Sequence, residues 1–125
     1  MDALSIEVRI VSQRLVVLPG ELAIVRGDSG DERAAVARIQ APDGTTLVRQ
    51  AREDDAERFV ALFSGGTAHG LEAPGMTASL LAPLAAAALG AFVVGTATAD
   101  LLLVPAASIE TAFGVLSAAG HVIER

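Results

Sequence analysis

Few side chains in this chain of 125 residues could carry chemistry, and their spacing excludes most of it. All nine basic residues are Arg, so neither a Schiff base nor a P-loop lysine is available. Cys is absent, which removes disulfides, thiolate metal sites and thiol nucleophiles. His69 lies in a glycine-containing loop and His121 follows Gly120; they fall in different elements and lack zinc-like spacing. Asp54 and Asp55 are neighbours, so in a helix or strand their carboxylates point apart, a poor catalytic pair. Gly65, Gly66 and Gly70 do not follow a nucleotide-binding pattern. No catalytic constellation emerges, and a non-enzyme is expected.

Two positions are better suited to binding. Gly75 opens a predicted helix, whose first N–H groups have no intrahelical partner and carry partial positive charge. Such a terminus suits a carboxylate, and glycine has no side chain to obstruct its approach. Met76 and Thr77 would supply the neighbouring N–H groups. Asp100 is the only charge between Glu72 and Glu110. Its carboxylate could hold an ammonium group or close a β-turn, where Asp is favoured anyway. Thr96 and Thr98 could offer hydroxyls, or serve as ordinary strand residues. The bland alternative at Gly75 is a capped helix with water at its end. For His121, a structural role near a helix C-terminus is expected.

The elements that would position these residues follow from periodicity. Leu4, Ile6, Val8 and Ile10 alternate with polar residues, which predicts a half-buried strand and not a signal peptide. Further strands are expected at Leu15–Leu18, turned by Pro19-Gly20, and at Leu22–Val25. Gly27–Asp31 reads as a polar loop. Ala35–Ile39 and Thr45–Val48 flank Ala41-Pro42-Asp43-Gly44, a hairpin signal. The charge run Arg52–Arg58 reads as a solvated connection. Arg58–Phe63 is a β-leaning apolar run. Gly75–Ala88 reads as a helix with Met76, Leu80, Leu84 and Ala87 on one side and a bend at Pro83. Strands at Ala91–Thr96 and Leu101–Val104 flank a turn at Ala97–Asp100. Ile109, Ala112, Phe113 and Leu116 predict a second helix that Gly120 ends, before a short strand at Val122-Ile123. The second half thus reads β-α-β-β-α-β, the ferredoxin-like order.

Composition bounds the function classes. Hydrophobic content of 52% with 19% charge marks a folded globular chain. A net charge of −6 without clustered cations argues against a nucleic-acid partner. Residues 73–99 carry no charge and are long enough to span a bilayer, yet Pro83 and several Gly and Thr interrupt them. Trp and Tyr are absent, and no basic cluster flanks the stretch, so no membrane partner is expected. A cytoplasmic protein is the default expectation.

The segment Gly75–His121 resembles the C-terminal half of small two-lobed ACT-domain proteins, which are similar to the halves of the CASTOR arginine sensors. The resemblance rests on "LAPLA" at Leu81–Ala85, "TATAD" at Thr96–Asp100, "LLV" at Leu102–Val104 and "AAGH" at Ala118–His121. "RLVVLPGELAIVR" at Arg14–Arg26 and "PDGTTLV" at Pro42–Val48 match the first half more loosely. The chain departs from the family pattern at Gly95, Ala97 and Leu101, where Ser, Tyr and Tyr are usual, at Ala73-Pro74, usually Leu-Thr, and at Gly44, usually Glu.

The resemblance implies an α+β fold: a strand-rich ACT-like lobe at 1–56 and a ferredoxin-like βαββαβ ACT lobe at 57–125. It implies a non-catalytic regulatory module that takes an amino acid or similar small zwitterion at a lobe interface, a homodimer, and no cofactor. It places Gly75 against the ligand carboxylate and Asp100 near its amino group, with Met76, Thr77 and Thr96 completing the expected site. The lost polar and aromatic positions leave a second reading, a degenerate ACT-like interaction module without ligand.

Overall fold

The computed structural model describes residues 6–27, 35–65 and 74–125. Its elements are strands β1 (Arg14–Val17), β2 (Leu22–Arg26), β3 (Ala35–Ala41), β4 (Gly44–Gln50) and β5 (Phe59–Phe63), helix α1 (Met76–Ala86), strands β6 (Phe92–Gly95) and β7 (Asp100–Pro105), helix α2 (Ile109–Ala118) and strand β8 (Val122–Glu124). From β5 onward the order is the expected βαββαβ. Among the described residues this is an α+β fold of one mixed sheet and two α-helices.

β7 is the most buried strand because both of its faces are covered. Leu102 and Val104 face the helices, where they meet Leu15, Leu62, Leu80, Leu84, Ala112, Phe113 and Leu116. Leu101 and Leu103 face the other way, onto Leu22, Val48, Phe59 and Ala61. A strand buried on both sides loses the alternation of a half-exposed one, and "LLLV" reads that way in sequence. β7 runs antiparallel to β5 from Phe59↔Pro105 to Phe63↔Leu101, and antiparallel to β6 on its other edge.

The far edge of β5 does not meet β8 directly. β1 lies between them, antiparallel to β5 and parallel to β8. An early strand therefore sits inside the sheet formed by the later elements. Pro19-Gly20, expected to turn the chain, does not reverse it. From Val17↔Leu62 to Leu22↔Phe59 the chain keeps following β5, five residues on its side against three on the partner. Gly20, at φ 79, takes the left-handed conformation that this bulge requires. Beyond it β2 leaves β5 to pair with β4, and β4 with β3 around the Pro42–Asp43 turn.

Three further expectations need correction. Residues 6–13 form no strand; the expected alternation also included Leu4, which lies outside the described residues. The backbone of Arg9, Val11 and Gln13 bonds to the side chains of Ser79 and His121 instead, and Ile6 is largely exposed. Second, α1 contains Pro83 as expected but spans Met76–Ala86 rather than Gly75–Ala88. Third, the charge run is organised rather than merely solvated. Asp55 makes a two-pronged pair with Arg49, at 2.7 and 3.2 Å, and accepts the Arg52 N–H at 2.7 Å. Residues 28–31 of the expected polar loop, and His69, lie outside the described residues.

Candidate functional site

Alternation along β7 puts Asp100 on the same face as Leu102 and Val104, under the helices and at the end of the strand. Its backbone is fixed by β5. Asp100 N donates to Ser64 Oγ at 2.9 Å, and Ser64 N donates to the Asp100 carbonyl at 3.0 Å. The side chain meets the first turn of α1, where Thr77 Oγ1 donates to Asp100 Oδ2 at 2.6 Å. Asp100 is only 5% exposed.

The start of α1 has an unusual cap. Gly75 holds φ 87 in the left-handed region and offers no side chain, so no side-chain cap closes the helix. A Cβ built there meets none of the described residues within 4 Å. Gly75, Met76 and Thr77 therefore present an uncapped first turn, with a carboxylate held against it by Thr77. Thr96 is not part of this contact. Its hydroxyl accepts the Ala99 N–H at 3.0 Å, organising the β6–β7 turn at the exposed end of the hairpin.

Four buried polar residues that sequence reasoning had not assigned to a ligand site join this end of the fold. Ser64 holds Asp100, as above. Gln13, just before β1, donates from Nε2 to the Met76 carbonyl at 2.8 Å. Ser79 Oγ accepts the Val11 N–H at 2.9 Å and lies 2.9 Å from the Gly75 carbonyl. His121, just before β8, bridges two segments. Its Nδ1 accepts the Gln13 N–H at 3.1 Å, and its Nε2 donates to the Ser79 carbonyl at 2.8 Å. These bonds select the neutral ring with its proton on Nε2. Ser64, Gln13, Ser79, Asp100 and His121 are all buried; Gln13, Asp100 and His121 bond to residues 76–79, Ser79 bonds back to Gly75, and Ser64 joins them through Asp100. Arg49, the other buried polar residue among those described, belongs to the distant pair with Asp55.

Asp55 titrates abnormally. The hydrogen bond from Arg49 and then that from the Arg52 N–H hold its carboxyl down, at about 2. Among the described residues no group of His, Asp and Glu could hold a metal ion. No helix there is long and apolar enough to cross a membrane. On the opposite face of the sheet a groove of about 340 Å³ is lined mainly by Ile24, Ile39, Val48, Phe92, Val94 and Leu103.

Comparisons place this geometry. A solved structure from Agrobacterium tumefaciens is similar over 90% of this chain and 92% of its own, at TM-score 0.73 and 22% identity. Another, from Vibrio cholerae and described as a protein of unknown function and possible transport protein, matches over 80% of this chain and 83% of its own, at TM-score 0.69 and 22% identity. At that identity they speak to the fold alone. Among curated proteins none matches. The ACT-domain model matches residues 55–118, about half of the chain and including α1, the β6–β7 hairpin and α2. The chain belongs to the ACT-domain family, whose members are regulatory ligand-binding modules.

Proposed function

We propose that this chain is a non-catalytic regulatory module that binds an amino acid or similar small zwitterion at the start of α1. The observation that carries it is the Thr77–Asp100 hydrogen bond, which sets a buried carboxylate against an uncapped helix terminus. The helix N–H groups at Gly75, Met76 and Thr77 would take a ligand carboxylate, and Asp100 its ammonium. Thr96 stands at the rim and contributes through the turn that precedes Asp100. The same reading treats 1–56 and 57–125 as two lobes, and the protein as a cytoplasmic homodimer without cofactor.

The test is thermal denaturation against the full set of standard L-amino acids. A ligand that binds only the folded state raises the melting temperature, by about 2.7 kcal/mol of added stability at a hundred times Kd. At least one amino acid is expected to do so, and Asp100→Asn to abolish the effect. A panel that leaves the wild-type transition unmoved sinks the proposal.

A second reading is favoured by one observation: the Asp100 carboxylate already accepts the Thr77 hydroxyl. In that reading the polar end is a finished structural cluster, and the protein acts through its apolar groove, beside which Phe92 is 55% exposed. An unmoved panel together with a stable protein partner would support it.

A further inference from the structure

The segment before β1 is attached to the fold by polar contacts. Residues 6–12 pair with no strand among the described residues, and neither apolar core includes any of them. Ile6, Val8 and Val11 are 72%, 38% and 40% exposed. Hydrogen bonds hold the segment instead. Ser79 Oγ accepts the Val11 N–H and lies 3.2 Å from the Arg9 carbonyl. Ser12 Oγ donates to the Gly120 carbonyl at 2.7 Å. At the inner end Gln13 is buried, with its N–H on His121 and its Nε2 on the Met76 carbonyl. A stretch with exposed apolar side chains and few buried contacts opens at less cost than the sheet it adjoins. Its attachments nevertheless converge on Met76 and Ser79 in the first turn of α1, where Asp100 also binds through Thr77.

We propose that residues 6–13 form a strap whose docking on α1 is coupled to occupancy of the helix start, each strengthening the other. This rests on the reading of that terminus as an amino-acid site, and it supplies a route by which occupancy reaches another part of the chain. The coupling runs through one peptide group. The Met76 carbonyl, which receives the Gln13 Nε2–H, and the Thr77 N–H, which a bound carboxylate would take, belong to the same amide. A donor on the oxygen polarises that amide and makes its N–H a stronger donor, and an acceptor on the N–H strengthens the oxygen in return. Ser79 adds a second link. Its N–H and its hydroxyl both lie 2.9 Å from the Gly75 carbonyl, whose amide carries the Met76 N–H, while the same hydroxyl accepts from Val11. Gln13 is therefore a positioning residue, acting on a bound molecule only through the Met76–Thr77 peptide. The factor by which the docked strap tightens binding equals the factor by which binding tightens the strap.

The test is amide hydrogen exchange on the full chain, with and without the standard L-amino acid that raises the wild-type melting temperature most. Without it, the Val11 amide is expected to exchange about a hundredfold or more faster than amides in the middle of β7, both of whose edges are paired. At a saturating concentration, Val11 protection is expected to rise about fivefold or more. Gln13→Met keeps the side chain's length and removes the Nε2 donor. It is expected to weaken binding of that amino acid about threefold or more by calorimetric titration, and to reduce the gain in Val11 protection. If that variant does not fold, the wild-type exchange measurement decides. Val11 exchanging as slowly as β7 would mean that the segment opens only with the whole fold. Val11 protection unmoved by the amino acid would mean that the strap ignores the site. Either result, or unchanged affinity in Gln13→Met, overturns the coupling and leaves the site standing. A panel in which no amino acid shifts the wild-type transition overturns the site and the coupling together.

Discussion

His121 gives the Ser79 carbonyl the hydrogen bond that Pro83 cannot. In an α-helix the N–H of residue 83 would bond to the carbonyl of residue 79, but proline has no N–H. His121 Nε2 lies 2.8 Å from that carbonyl and takes the missing donor's place, while Nδ1 accepts from Gln13. α1 thus passes through Pro83 with the vacated carbonyl satisfied from outside the helix.

His121→Ala should therefore leave two buried groups unpaired, the Ser79 carbonyl and the Gln13 N–H. At about 1–3 kcal/mol for each buried unsatisfied group, a loss of roughly 2–6 kcal/mol is expected. Pro83→Ala restores a helical N–H that can reach Ser79. In the double variant the loss should be smaller than the sum of the single losses by about 1 kcal/mol. Urea denaturation of the four proteins measures this, and a coupling near zero would mean that His121 acts on some other group.

That relationship also marks how far the sequence could be read. "LAPLA" and "AAGH" were both visible as family motifs, and the structure brings their Pro and His together through Ser79. Local periodicity carried the second half well, since both helices and strands β5 to β8 follow from spacing that each segment contains. The position of β1 between β5 and β8 was not legible, because strand pairing depends on partners distant in sequence. The alternation before Ile10 misled for a related reason: among the described residues no strand pairs with that segment, and residues 9–13 bond to Ser79 and His121 instead. Thr77 and Asp100 were both named from sequence, though not their contact. Gln13, Ser64 and Ser79 gave no signal, since Gln and Ser become site residues only through their tertiary partners.

The Thr77–Asp100 bond makes a prediction that needs no ligand. Thr77→Val keeps the shape of the side chain and removes the hydroxyl donor from a nearly buried carboxylate. Hydrogen bonds to charged groups contribute about 1.5–3 kcal/mol, and a loss in that range is expected by chemical denaturation. Thr77→Ser, which keeps the donor, should remain within about 1 kcal/mol of wild type. Equal losses in the two variants would assign the effect to packing of the methyl group instead.

Gly75→Ala separates backbone strain from steric fit. The added Cβ would meet none of the described residues within 4 Å, so no clash with them is expected. The cost comes from φ 87, in the left-handed region, where a Cβ destabilises by roughly 1–2 kcal/mol. Asn tolerates that region better than Ala, so Gly75→Asn should lose less. Melting temperatures in the order wild type, Asn, Ala are expected. An Ala variant as stable as wild type would show that the first turn of α1 relaxes out of this conformation.

Asp55 sets the acid limit of the β4–β5 connection. Its carboxyl is held at about 2 against an ordinary 3.8, because the charged form is bonded by Arg49 and by the Arg52 N–H. The folded protein therefore binds this proton less readily than the unfolded chain does. The stabilisation is fully present above the unfolded value of 3.8, and it is lost as the pH falls from there through about 2. Arg49 remains charged across this range, so the whole effect belongs to Asp55. Asp55→Asn keeps the shape and removes the titration. It should lower stability at neutral pH and flatten the dependence of stability on pH between about 4 and 2 relative to wild type. Urea midpoints for both proteins across that window provide the check. Parallel curves would mean that the Arg49–Asp55 pair adds nothing to folding and that other carboxylates govern the acid transition.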